Sequence, residues 1–316
     1  MIWSKKNLGF WKIKLIAKYT HEKKRFFKKN EILNFTNMNL HELKNISDNL
    51  PKSEKMPVVF IGHGSPMNAL ADNGFTDSLI LLGKSIERPK AILVISAHWL
   101  TMNKTYVSVN PFPKTIYDFG GFPEALYKVK YEPKGSPEFA REVINEVKSI
   151  GILEEHQMGL DHGAWSVLRH IYPAADIPTF QMSIDYSKPA QYHFELAKEL
   201  QNLRNKGVLI LSSGNIVHNL RQLKWNETNP TGGVPKPFDW AVEFDAIVAN
   251  KLNQGQFADL ADFKTFGNIG AMAHPSIDHY LPMVYSIGLI NPKEEIKYTY
   301  EGLEMGSISM RCFQAG

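Results

Sequence analysis

Three stretches of the chain are apolar with almost no interruption, at residues 58–61, 91–96 and 208–213, and 178–184 reads as another buried strand. Runs of this length with no polar face read as strands buried on both sides. Helical patterns lie between them. Residues 77–86 give an amphipathic helix with Leu79, Leu81, Leu82 and Ile86 inward. A second helix runs over 136–150, with Ser136 at the N-cap and Pro137 in the first turn. Further helices are expected at 163–171, at 189–206 ending on the C′ glycine Gly207, at 238–252, and at 279–287 with Gly288 as the stop. A shorter strand is expected at 106–109 and closing strands at 296–300 and 307–311. Helices alternating with buried strands predict a single α/β domain, with a central mostly parallel or mixed sheet covered by helices on both faces. Strand order is not legible in the pattern.

Three of the predicted strands run directly into histidine. Residues 58–61 lead into Gly62-His63-Gly64-Ser65-Pro66, residues 91–96 into Ala97-His98-Trp99, and residues 208–213 through Gly214-Asn215-Ile216-Val217 to His218. In open α/β sheets ligands collect outside the carboxyl ends of the strands, so these distant imidazoles are expected to converge on one crevice. Neutral imidazole suits Zn, Fe, Cu or Ni, and a catalytic site keeps three protein ligands with positions left open. Within residues 273–282, His274, Asp278 and His279 compete for a further place, and Asp278 is equally a helix cap. His162 is either a ligand or a proton-transfer group; Asp161 beside it either orients it or caps a helix. Tyr117-Asp118-Phe119-Gly120-Gly121-Phe122-Pro123, with Trp99 and Trp165, either walls a flat aromatic substrate or packs the interior. His21, His41, His156, His170 and His193 read as surface or satisfied core residues. There is no nucleophile elbow, Walker loop, dinucleotide fingerprint or H-E-x-x-H.

Composition adds boundaries. The formal charge of +4 over 316 residues is unevenly spread: residues 1–37 hold ten Lys or Arg against two Glu, which leaves 26 basic and 30 acidic residues in the rest. The body is therefore mildly acidic and gives no reason to expect nucleic acid. Residues 1–37 read as a poorly ordered basic extension: an interfacial helix, a transit-like segment, or sequence upstream of the true start, since Met38 and Met56 both follow. Residues 38–55 read as a linker or short helix, and 56–316 as the functional domain. Cys312 is the single cysteine, which excludes an internal disulfide and a thiolate metal site and favours a reducing, cytoplasmic location. No run reaches the roughly 18 apolar residues of a membrane span, so a soluble body is expected.

Taken together, Gly62-His63-Gly64-Ser65-Pro66-Met67-Asn68, Ser96-Ala97-His98-Trp99, Asp118-Phe119-Gly120-Gly121-Phe122-Pro123, Asp161-His162-Gly163-Ala164-Trp165, Gly214-Asn215-Ile216-Val217-His218-Asn219-Leu220 and Asp278-His279-Tyr280-Leu281-Pro282 resemble the 4,5-DOPA extradiol dioxygenase family. That family is one of the class III extradiol ring-cleavage enzymes, and the resemblance runs from about Met56 to the C-terminus. It implies that His63, His98, His218 and His279 are the metal-associated histidines and that His162 is the catalytic acid/base. Trp99, Phe119, Phe122 and Trp165 become the expected substrate wall. It also implies a divalent metal, Fe(II) for catalysis with Zn able to occupy the purified protein, and a small catechol and O2 as the partners. Non-haem Fe(II) oxygenases usually combine two His with a carboxylate, whereas the matched positions here are all His. From the residues alone, a zinc hydrolase and a non-catalytic binding protein on the same scaffold are the competing expectations.

Overall fold

The computed structural model describes residues 55–224 and 236–316; the expected extension over 1–37 and, apart from Lys55, the linker over 38–55 lie outside the described residues. The central sheet has six strands: β1 (Val58–Gly62), β2 (Ala91–Ser96), β3 (Thr179–Gln181), β4 (Val208–Gly214), β5 (Ile296–Tyr300) and β6 (Cys312–Ala315). Their order is β3-β2-β4-β1-β6-β5. The first four are mutually parallel, and β6 runs antiparallel to both β1 and β5. The expected α/β architecture with a mostly parallel sheet is therefore the observed one.

The unbroken apolar runs are explained by two cores, one on each face. Phe60, Leu93 and Ile210 enter one, and Ile61, Val94 and Leu211 enter the other, as the two-residue period of a strand requires. The first core is covered by α2 (Pro137–Glu146), α4 (Ala190–Glu199), α5 (Asp239–Asn253) and α6 (Leu281–Leu289). The second is covered by α1 (Gly74–Ser85) and α3 (His162–Ile171). Because α3 leads back into β3 beside β2, its N-terminus lies at the carboxyl edge of the sheet, where the site will be found. At the opposite edge the fully buried Arg204 donates to the carbonyls of Met56, Leu289 and Ala315 and pairs with Glu294, tying the start of β1 to the end of β6.

Several boundaries differ from expectation. Helix α1 starts earlier because the Asn73 side chain accepts from the Phe75 and Thr76 amides, closing a capping box. The buried stripe is then Phe75, Leu79, Leu82 and Ile86, and Leu81 falls off it, 65% exposed. The 136–150 helix ends at Glu146, and Ser136 makes no side-chain cap bond. The 178–184 run divides into β3 and Ile184–Asp185, the latter pairing with Leu100–Thr101. The 189–206 helix breaks at Leu200, and Gly207 ends its second half with φ 84°. Gly288 does not stop α6 but lies inside it: a Cβ there would sit 2.5 Å from the Phe194 carbonyl, so it serves the close approach of α6 to α4. The closing strand is β6, while Ile308–Ser309 pairs with Leu303–Glu304 in a separate ribbon. Thr105–Ser108 pairs with Ile152–Glu155, a strand the pattern did not predict. Among the described residues no helix is long and apolar enough to cross a membrane.

His193, on α4, is a core residue whose Nδ1 lies 3.0 Å from the Tyr285 hydroxyl. Burial lowers its pKa from 6.5 to about 4. Between those values the unfolded chain binds a proton that the folded chain refuses, so this contribution to stability is complete above pH 6.5 and is lost as pH falls toward 4. Urea unfolding of wild type and His193→Leu at pH 7 and pH 4 checks this. The wild type's advantage shrinks by about 3 kcal/mol on acidification, and an advantage independent of pH contradicts the assignment.

Candidate metal centre

The carboxyl ends of β1, β2 and β4 each deliver one part of the site. Immediately after β1 comes His63, whose carbonyl accepts from the Asn68 side-chain amide at 3.1 Å. The chain can turn there because Gly64 takes φ 61°, which side chains disfavour. Ser65 then caps the short Pro66–Leu70 helix by accepting from the Met67 amide. After β2, the Ala97 amide bonds the Ser213 carbonyl of β4, and this docks the turn carrying His98. After β4, the Asn215 amide bonds the carbonyl of His279, bringing in a histidine 64 positions further along the chain. Gly214 permits that contact: a Cβ on it would lie 2.3 Å from the His279 carbonyl oxygen.

Side-chain nitrogens of His63, His98 and His279 all lie within 4.8 Å of one another. Their protonation follows from their partners. Ser213 Oγ has one hydrogen, which it gives to the Gly163 carbonyl at 2.6 Å, so toward His63 Nδ1 at 3.0 Å it accepts. The carboxylate of Asp278 accepts from His279 Nδ1 at 2.5 Å, whereas Asp118 Oδ2 lies 3.6 Å from His98 Nδ1, beyond hydrogen-bond reach. His63 and His279 thus hold their protons on Nδ1 and turn a bare Nε2 inward, and His98 turns its Nε2 to the same place. Burial keeps the rings uncharged: it is the largest cause holding His63 and His279 well below 6.5, and with the neighbouring His162 it takes His98 to about 3.

Neutral, desolvated rings with their second nitrogen fixed by a hydrogen bond are what a bound metal requires. The Nε2 atoms of His63 and His98 are 3.1 Å apart. Two nitrogens each about 2.1 Å from a shared ion stand roughly 3.0–3.4 Å apart for bond angles between about 90° and 109°. The residues present therefore fit a divalent metal.

Of the expected metal histidines, His218 is the one that this group does not include. Its ring stacks on that of His279 with centroids 3.5 Å apart and planes 7° apart. Burial, then the nearby His274, lowers its pKa to about 4. His274 faces away into an aromatic box of Phe244, Phe263 and Tyr280, with Nε2 on the Ile216 carbonyl at 2.7 Å.

The other side of the site is His162, the first residue of α3, whose ring centroid is 3.8 Å from that of His98. Asp161 does not orient it. Its carboxylate caps α3 through the Ala164 amide and accepts from Ser96 and Gln181. The orienting carboxylate is Asp118, which accepts from His162 Nδ1 and from the His162 amide, both at 2.9 Å. Burial pushes the Asp118 carboxyl up, but the bonds from His162 outweigh this and hold it below its ordinary range. Asp118, Ser213 and Asp278 all stand in the quoted stretches, and sequence reasoning gave none of them this supporting task. Phe119 packs edge-on to the His162 ring at 5.6 Å and to Phe122 at 5.3 Å, and both phenyl groups are half-buried. Trp165 is 0% exposed, with its indole N–H on the Ile116 carbonyl, so it backs Phe119 and has no face for a substrate. Trp99 is buried as well, at 9% exposure.

Residues 58–310 match the family model described as the catalytic LigB subunit of aromatic ring-opening dioxygenase. The chain belongs to the LigB family. LigB-family relatives include a 4,5-DOPA dioxygenase extradiol of Escherichia coli K12, 43% identical, with 86% of this chain and 98% of the relative covered. A Beta vulgaris protein of the same name is 33% identical over 81% of this chain and 94% of its own. A crystal structure of an uncharacterized protein from Escherichia coli K12 superposes with a TM-score of 0.70 at 39% identity, covering 83% of this chain and all of the other. This LigB-family chain is accordingly an aromatic ring-cleaving dioxygenase.

The His279 loop can be tested through the glycine that admits it. In Gly214→Ala the new methyl group must push the His279 backbone away. Metal affinity falls by roughly 10–100-fold, the range for disturbed supports of metal ligands, while the fold is retained. Competition titration against a chelator measures it, and unchanged affinity would show that His279 is not held to the centre by β4.

Proposed function

We propose that the chain is an Fe(II)-dependent extradiol dioxygenase that opens the ring of a catechol such as DOPA, with His63, His98 and His279 holding the ion. The observation that carries this is the trio of uncharged rings, two buried and one half-buried, with Nε2 turned inward beside the oriented His162. Two relatives named 4,5-DOPA dioxygenase extradiol support the substrate class. When bound, the ion supplies the redox chemistry and a shared coordination sphere for the diol and dioxygen.

The protein's own groups do the rest. Asp118 keeps the His162 proton on Nδ1, so Nε2 is a bare acceptor able to take a proton from a catechol hydroxyl and return it to the opened product. Phe119 and Phe122 offer apolar faces to a flat ring beside that nitrogen. His218, stacked on His279, fixes the plane of that ring from outside the ligand set. Both oxygen atoms of O2 end in the product, a carboxylate on one side of the broken ring bond and an aldehyde on the other. Cleavage falls beside the diol, and the yellow semialdehyde formed from DOPA can cyclise through its amine.

The test is to load the protein with Fe(II) without air, add DOPA and then oxygen, and follow oxygen uptake with the growth of visible absorbance. Uptake of one O2 per product is expected, with none in the Zn-loaded protein. His162→Gln keeps its bound iron and loses about 10²–10⁴-fold in kcat. Iron-loaded protein that turns over no catechol, or Zn-loaded protein that hydrolyses esters without oxygen, overturns the proposal.

A further inference from the structure

The aromatic loop at 117–123 touches the metal centre through one carboxylate. Asp118 Oδ1 accepts the backbone N–H of His162, Oδ2 accepts Nδ1–H of the same residue, and Oδ2 is also 3.6 Å from His98 Nδ1. A single side chain therefore meets both the proposed acid/base and one of the proposed metal ligands. The rest of the loop is fastened independently. The Tyr117 hydroxyl donates to the Val129 carbonyl at 2.7 Å, and Phe119 packs on Tyr127 and Trp165. The helix that begins at His162 already has its cap in Asp161. Neither the loop nor the helix needs the negative charge of Asp118 to hold its shape.

We propose that Asp118 is a positioning residue for ring cleavage: it locks His162 in the Nδ1–H tautomer, leaves Nε2 free to accept the substrate proton, and registers the aromatic wall against that nitrogen. The inference rests on the ring-cleavage reading only for the use made of Nε2. An ionised carboxylate has no hydrogen to give, so a nitrogen 2.9 Å from it must be the donor. Because the same carboxylate is one residue from Phe119, whose ring lies 5.6 Å from His162, the face that receives a flat ring and the atom that receives its proton are set by one backbone segment.

Asp118→Asn separates this role from a merely structural one. The amide oxygen can still accept the His162 backbone N–H, but the amide nitrogen now turns an N–H toward Nδ1, which favours the opposite tautomer. In metal-free protein labelled with 15N-histidine, and with His162 assigned from the signal absent in His162→Gln, the proton is expected on Nδ1 in the wild type and on Nε2 in the variant. In the iron-loaded variant, kcat on DOPA falls by about 10–100-fold. KM stays within about threefold, and both the melting temperature and the iron content are unchanged. Asp118→Glu, which restores an acceptor-only group, recovers part of the lost kcat. The proposal is overturned if wild-type Nδ1 carries no proton, or if Asp118→Asn turns over like the wild type. It is also overturned if the loss of kcat in the variant is matched by loss of iron or of fold. Absence of catechol turnover in the wild type strikes the functional reading instead, since the tautomer measurement needs neither metal nor substrate.

Discussion

Three uncharged imidazoles, two buried and one half-buried, turn their Nε2 atoms toward one place where a cation fits, and the carboxyl edge of this sheet is built to hold them that way. The His63 and His98 nitrogens are 3.1 Å apart, a distance that suits shared coordination better than two bare lone pairs. Two of the rings are also held from behind, His63 by Ser213 and His279 by Asp278, while Asp118 lies beside His98 without bonding it. Ser213 can act as an acceptor only because its hydrogen is spent on the Gly163 carbonyl, so the turn that starts α3 helps decide the protonation of a histidine 100 residues before it. The parallel strands carry this geometry: β1, β2 and β4 are adjacent and in register, and their ends bring distant residues to one place.

Two carboxylates near the start of α3 divide the work. Asp161 is buried and spends its oxygens on the helix cap, Ser96 and Gln181, while Asp118 reaches in from a partly exposed loop and meets His162. The division follows from helix geometry. A residue at the N-cap has its side chain turned to the amides of the next turn, and the first helical residue, His162, must find its partner elsewhere. The centre thus has a rigid side, made by strand ends, and a loop side, where His162 and the phenyl groups stand together.

The four parallel strands and the first two proposed metal histidines were legible because both depend on short-range signals. A strand buried on both faces announces itself as an apolar run, and His63 and His98 sit directly at the ends of such runs. Spacing alone left the choice among His274, Asp278 and His279 open, and only the family resemblance pointed to His279, since its place depends on the Asn215 amide finding the His279 carbonyl across the fold. His218 follows the same strand as Asn215, but the extra residues carry its ring over the face of His279. Asp161 was expected either to orient His162 or to cap the helix, and Asp118 was not expected to do either, because only the packing of the aromatic loop brings it to His162. Leu81 and Gly288 were misplaced by smaller causes, a helix start three residues upstream of the expected one and a glycine used for helix contact where a stop was expected.

The central claim is that three imidazoles gathered at the carboxyl edge of the sheet, and not four, hold one ion. An anomalous difference map from crystals of the Zn-loaded protein tests it most directly. The account predicts a single strong peak about 2.1 Å from Nε2 of His63, His98 and His279, with the His218 ring still stacked on His279 and outside bonding distance. A peak bonded to His218, or one that leaves out any of the three, would contradict it.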